Sequence, residues 1–279
     1  MRQGLVKNWM TSKVITTTPA THLNDARLVM DAENIRSLPV VKDGKLVGIV
    51  TYRGLLRTDV SALTGKVPQK DVDLKDYTIE AVMTRGVITT LPQAALPKAA
   101  RVMMENKITA LPVMERDELV GILTSSDLFR FIIAEIDTLN EQIKVKDYMT
   151  VEVVTLTPQD SLLEAHRLMG VKRIRTLPVV DSHDRLVGIV TRTDLMGASP
   201  SRFVSRNHQD ASLQIEQEKV ERIMSTRLIT IKEDANITEA ARLMLENKIH
   251  SLPVLDDKGD MVGVITEYDL FQMIVQKFF

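Results

Sequence analysis

The chain has 279 residues, 36 Lys and Arg against 37 Asp and Glu, no cysteine, 4% aromatic and 44% hydrophobic residues. That length suffices for about two domains with cores of their own, and a net charge of -1 gives no general attraction for a nucleic-acid backbone or an anionic membrane. The missing cysteine excludes disulfides, thiolate metal sites and thiol nucleophiles, and the scarcity of aromatics argues against a base-stacking surface.

In chain order, Met10-Thr11 opens a segment of alternating residues that predicts a strand, and Leu23, Ala26 and Met30 follow at the spacing of a helix with one buried face. Leu38-Pro39-Val40 predicts a second strand, because proline is tolerated at a strand start. Lys42-Asp43-Gly44 predicts a turn, and Leu46 to Val50 a third strand with Gly48 at its centre. Thr51-Tyr52-Arg53-Gly54 then leads into a second helix.

This order returns three times. Leu-Pro-Val recurs with its proline at Pro39, Pro112, Pro178 and Pro253, and Met-Thr or Met-Ser stands 29 residues before each, at Met10, Met83, Met149 and Met224. The central glycine recurs as Gly48, Gly121, Gly188 and Gly263. Four β-α-β-β-α repeats therefore fill the chain, at about residues 4–60, 77–136, 143–198 and 218–277, which makes the fold class α+β (α/β-like). Repeats 1 and 3 are 139 residues apart at the methionine, and repeats 2 and 4 are 141 apart. The unit is thus expected to be a pair, giving modules at 1–140 and 141–279. Polar linkers are expected at residues 58–76 and 197–218, and a continuous helix is expected from the Leu128–Ile133 run into residues 138–146. The apolar run from Leu270 to Val275 calls for a covering surface, in this chain or in a second copy.

The third strand ends in Thr124-Ser125-Ser126-Asp127, Thr191-Arg192-Thr193-Asp194 and Thr266-Glu267-Tyr268-Asp269. One reading is a capping box, threonine at N-cap and carboxylate at N3. The other is a ligand cradle: free N–H groups and a hydroxyl for phosphate, and a carboxylate for a ribose diol. Two positions before each Leu-Pro pair lie Arg36, Thr109, Arg175 and His250, so three repeats place a potentially cationic donor at one equivalent point, immediately before a predicted core strand.

The pattern Met-Thr, Ile-x-x-Leu-Pro-Val, then Gly followed by two apolar residues and Thr-x-x-Asp-Leu resembles the CBS domain, named after cystathionine β-synthase. The resemblance spans the chain apart from the linkers and implies four repeats arranged as two pseudo-twofold tandem pairs, or Bateman modules. It further implies a regulatory module that binds adenine nucleotides, AMP, ADP or ATP, in clefts between paired repeats. By that resemblance Asp127, Asp194 and Asp269 hold ribose hydroxyls. Thr124, Thr191 and Thr266 bind phosphate or ribose oxygens, Arg36, Arg175 and His250 face phosphate, and Val14, Val87, Val153 and Leu228 line the adenine pocket. Repeat 1 departs from the pattern with Gly54 in place of the aspartate, and repeat 2 with Thr109 and Ala110 where the others have a basic residue, although Lys107 is close. The pair formed by repeats 3 and 4 is therefore expected to be the better site.

No P-loop, dinucleotide fingerprint, nucleophile elbow or pair of histidines at i,i+4 occurs, and the repeats leave no segment large enough for a catalytic domain. The expectation is a free-standing cytoplasmic sensor and not an enzyme, with no metal or cofactor besides its regulatory nucleotide. It would act on a separate enzyme, transporter or regulator, with no nucleic-acid partner, no membrane insertion and a possible homodimer. Two alternatives keep the fold: another adenosyl ligand such as S-adenosylmethionine, a cyclic dinucleotide or NAD, or an oligomerisation module whose corners are caps and nothing more.

Overall fold

The computed structural model of the protein describes residues 4–56, 77–139, 142–198 and 218–278. Repeat 1 runs α1 (Leu23–Ala32), β1 (Ser37–Lys42), β2 (Lys45–Thr51) and α2 (Tyr52–Leu56). Repeat 2 follows with α3 (Leu96–Glu105), β3 (Ala110–Glu115), β4 (Glu118–Thr124) and α4 (Ser125–Glu135). Repeat 3 has α5 (Leu162–Val171), β5 (Thr176–Val180), β6 (Leu186–Thr191) and α6 (Arg192–Ala198). Repeat 4 has β7 (Ile231–Lys232), α7 (Ile237–Asn247), β8 (Ser251–Leu255), β9 (Met261–Thr266) and α8 (Glu267–Phe278). The expected helix, strand, strand, helix order holds in every repeat. Of the expected linkers, residues 58–76 and 199–217 lie outside the described residues.

The expected first strand is reduced to one parallel bridge in three repeats, Thr17 with Val40, Thr90 with Val113 and Leu156 with Val179, and only repeat 4 extends it to a strand. Proline explains the difference. Two residues after the bridge stand Pro19, Pro92 and Pro158, which lack the N–H that would make the next ladder bond. Repeat 4 has Glu233 there, and its N–H donates to the Leu255 carbonyl at 3.0 Å.

Each first helix buries the face read from its spacing: Leu23, Ala26 and Met30 in α1, and Ile237, Ala240 and Met244 in α7. Each is followed by a residue in the left-handed region, Asn34, Lys107, Arg173 or Lys248, which turns the chain toward the Leu-Pro-Val strand. The four hairpins share a register in which Val40, Val113, Val179 and Val254 oppose the central glycine, with a bulge immediately after.

The expected continuous helix from Leu128 to Lys146 does not form. α4 ends at Glu135 and tightens into a 3-10 turn at Ile136–Leu139, and Lys144 is extended. Tertiary bonds explain the break, because Lys144 bridges to Asn236 and the Val145 N–H donates to the Ala235 carbonyl at 3.0 Å.

The chain folds into two compact units. Unit 1 comprises residues 1–14, 88–153 and 229–279, and unit 2 comprises residues 15–87 and 154–228. Unit 1 thus joins the bodies of repeats 2 and 4, and unit 2 those of repeats 1 and 3. In unit 1, α8 packs on α3 and α4 packs on α7, around a core that includes Met103, Phe129, Ile132, Met244 and Phe271. Leu270, Phe271, Met273 and Ile274 are buried there, so the apolar C-terminal run finds its cover in repeat 2 of the same chain. Trp9 and Phe278 each meet the Phe131 ring edge to face, at centroid distances of 5.3 and 4.8 Å. Unit 2 holds two cores, one around Leu23, Met30 and Leu38 and one around Leu162, Met169 and Leu177. Among the described residues, no helix is long and apolar enough to cross a membrane.

Candidate ligand-binding corners

Three of the four corners between third strand and second helix are built alike. The N–H of Thr124, Thr191 and Thr266 donates to Oδ2 of Asp127, Asp194 and Asp269 at 2.7, 2.8 and 2.7 Å. The hydroxyl of each threonine donates to the same oxygen, at 2.8, 2.7 and 2.7 Å. The cap is therefore real. It commits one carboxylate oxygen and the hydroxyl proton of the threonine, and leaves the second carboxylate oxygen as the point of difference among repeats. In repeat 1 the arrangement shrinks to the Gly54 N–H donating to Thr51 Oγ1 at 3.0 Å, with no carboxylate.

Burial pushes the Asp269 carboxyl above its ordinary range, against the two bonds from Thr266. Asp127 is raised for the same reason, although Thr124 and Arg130 both favour its charged form. Arg130 Nη1 lies 2.5 Å from Asp127 Oδ1, and the Asp127 side chain is 1% exposed. Asp194 and Asp269 are half-buried.

The basic position lies beside the corner in every repeat, because Ser37, Ala110, Thr176 and Ser251 pair with Thr51, Thr124, Thr191 and Thr266 across the hairpins. The first N–H of each second helix donates to the carbonyl of the preceding position: Tyr52 to Arg36, Ser125 to Thr109, Arg192 to Arg175 and Glu267 to His250, at 2.8 to 3.1 Å. The side chains then diverge. Arg36 lies over the Tyr52 ring, 5.4 Å from its centroid. His250 Nδ1 is 3.0 Å from Oε2 of Glu267, which is fully buried and also accepts from Ser125 Oγ at 2.8 Å.

The Met-Thr segments reach the corner of the other repeat in the pair. Thr11 exchanges two backbone bonds of 2.9 Å with Ile122 of repeat 2, and Thr84 pairs in the same way with Ile49 of repeat 1. Thr150 pairs with Val264 of repeat 4, and Ser225 with Ile189 of repeat 3. Each bonded strand residue lies two positions before the corner threonine. The expected adenine residues Val14, Val87, Val153 and Leu228 follow three residues later, all partly exposed, so Val153 belongs with the Thr266 corner and Leu228 with the Thr191 corner.

The central glycines make this exchange possible. A Cβ at Gly188 would sit 2.5 Å from Met224 Sδ, one at Gly48 2.7 Å from Met83 Sδ, and one at Gly263 2.8 Å from Met149 Sδ; Gly121 faces Met10 in the same way. Two repeat signatures, the methionine and the glycine, are thus halves of one contact. Sequence spacing revealed both halves and could not reveal that they belong to different repeats. Arg130 and Glu267 were also missed; the only sequence signal for the first is its ion-pair spacing of three residues from Asp127.

The CBS domain family model matches residues 6–61, 79–134, 145–201 and 220–276. The chain belongs to the CBS domain family. Its four CBS repeats extend along relatives of similar length. The protein MJ1225 of Methanocaldococcus jannaschii is 29% identical over 269 residues, 93% of this chain and 95% of that one. A 33.4 kDa protein encoded in a ribosomal RNA operon of Thermofilum pendens is 31% identical over 262 residues, 88% of this chain and 83% of that protein. The crystal structure of MJ1225, described as a candidate archaeal homolog of g-AMPK, matches with a TM-score of 0.74 at 27% identity, over 97% of this chain and 99% of that one. A conserved protein of Pyrococcus horikoshii matches with a TM-score of 0.66 at 28% identity, over 97% of this chain and all of that one.

Proposed function

We propose that the chain is a non-catalytic sensor that binds adenine nucleotides at its CBS corners and passes its occupancy to a separate protein. The observation that carries this reading is the divided carboxylate of Asp194 and Asp269. One oxygen is spent on the local cap, and Oδ1 has no partner among the described residues, so it is available to a ribose diol. Thr191 and Thr266 donate their hydroxyl protons to aspartate, so their remaining role toward a ligand is to accept from a ribose hydroxyl and not to donate to phosphate. Phosphate then falls to the basic position, Arg175 at repeat 3, while Leu228 and Val153 of the exchanged segments flank the base. The description of MJ1225 as a candidate g-AMPK homolog supports AMP, ADP and ATP as the ligands to test first.

The reading keeps residues 1–140 and 141–279 as paired modules, supported by the reciprocal exchange of Thr11 onto Ile122 and Thr84 onto Ile49. At repeat 4 one observation favours a different adenosyl ligand. His250 Nδ1 is taken up by the buried Glu267 carboxylate, which leaves it less available to a phosphate and suits an adenosine without phosphate, such as S-adenosylmethionine. Calorimetric titration of AMP, ADP, ATP and S-adenosylmethionine into wild type, Asp194→Ala, Asp269→Ala and Arg175→Ala separates these cases. Loss of phosphorylated-ligand affinity in Asp194→Ala and Arg175→Ala is expected; affinity unchanged in all three variants refutes the assignment.

A further inference from the structure

The three Thr-x-x-Asp corners differ at a single atom. Oδ2 accepts from the threonine N–H and hydroxyl in each of them. Oδ1 of Asp127 is held by Arg130 at 2.5 Å, whereas among the described residues no side chain occupies Oδ1 of Asp194 or Asp269. The position three residues after the aspartate is arginine in repeat 2 only among these three. It is Gly197 in repeat 3 and the exposed Gln272 in repeat 4.

We propose that Arg130 is a built-in occupant of the ribose position of repeat 2, closing that corner to adenosyl ligands and leaving repeats 3 and 4 as the two binding corners of the chain. The inference rests on the ribose role given above to Asp194 and Asp269. A diol entering at Asp127 must displace a guanidinium from a carboxylate that is 1% exposed, while the arginine that holds it is itself 53% exposed. A hydrogen bond between charged groups is among the stronger ones, so the displacement lowers affinity by roughly 10- to 100-fold. The position equivalent to Arg175 of repeat 3 does not restore it, since Thr109 stands there. Repeat 1 lacks the carboxylate altogether, with Gly54 at that position. The remaining corners fall one in each compact unit, Asp194 in unit 2 and Asp269 in unit 1.

The test is the number of equivalents bound, read by calorimetry with AMP and, separately, with S-adenosylmethionine. Wild type is expected to bind about two adenosyl equivalents per chain across the two probes, and Asp127→Asn to leave that number unchanged. Arg130→Ala combined with Thr109→Arg is expected to add a third equivalent of AMP, and retention of the first two shows that the double variant is folded. Three equivalents in wild type, or a fold-intact double variant that gains none, overturns the closure by Arg130 alone. Absence of any binding by wild type overturns the ribose assignment beneath it, and the closure with it.

Discussion

Replacing Asp269 by Asn separates the two roles of the corner carboxylate. Oδ2 accepts two bonds of 2.7 Å from Thr266, and the amide oxygen of asparagine accepts both equally well. Burial already disfavours the charged carboxylate, so a neutral group of the same shape changes stability by less than about 1 kcal/mol. Asp269→Ala, by contrast, removes the cap and costs roughly 0.5 to 2 kcal/mol. For ligand binding the difference disappears, because both substitutions remove a charged acceptor worth about 1.5 to 3 kcal/mol, or roughly 10- to 100-fold in affinity. The pH dependence supplies a third readout. The native carboxyl titrates above the ordinary 3.8, so between that value and its raised native value the folded protein holds more protons than the unfolded chain. Stability contributed by this group is complete below 3.8 and is lost as pH rises through the native value, and Asp269→Asn removes that slope. Urea unfolding from pH 3.5 to 7, beside calorimetric titration, measures all three. If asparagine destabilises as much as alanine while ligand affinity stays at the wild-type level, the carboxylate is a cap and the ribose assignment fails.

Gly121→Ala is expected to destabilise by about 1 to 3 kcal/mol, because its Cβ enters the space of the Met10 thioether, and Met10→Ala is expected to relieve much of that cost. A double-mutant cycle by urea unfolding that gives simple additivity contradicts the exchanged contact. Glu267→Ala strands Ser125 Oγ and His250 Nδ1 beside a fully buried position, and a loss of about 1 to 3 kcal/mol is expected in thermal unfolding. Glu267→Gln keeps the acceptor for Ser125 and is expected to lose less; equal losses refute the network. Met103→Ala, at a fully buried position in the core of unit 1, is expected to cost about 2 to 5 kcal/mol, and a midpoint within error of wild type contradicts that packing.

The sequence by itself determined the repeat, its element order, the buried faces of the first helices and the Thr-x-x-Asp corners. These are local or periodic properties: a face follows from i, i+3, i+7 spacing, and a cap from residues three apart. The same locality explains its two failures in the fold. The alternating residues after Met-Thr predict a strand that the missing N–H of Pro19, Pro92 and Pro158 cuts short, and the apolar run before Lys144 predicts a helix where bonds to Asn236 and Ala235 hold the chain extended. Four equivalent repeats also carry equivalent signals, so spacing could not say which methionine fills the space beside which glycine. Only the tertiary structure decided that the Met-Thr segments are exchanged within each pair, that repeats 2 and 4 share one unit and repeats 1 and 3 the other, and that Arg130 and Glu267 claim charges read from sequence as ligand-facing. The physical reason is that a side chain's chemistry is set by its residue type, whereas its availability to a ligand is set by what else lies within hydrogen-bonding distance, and those neighbours come from positions up to 142 residues away, as in Ser125 and Glu267.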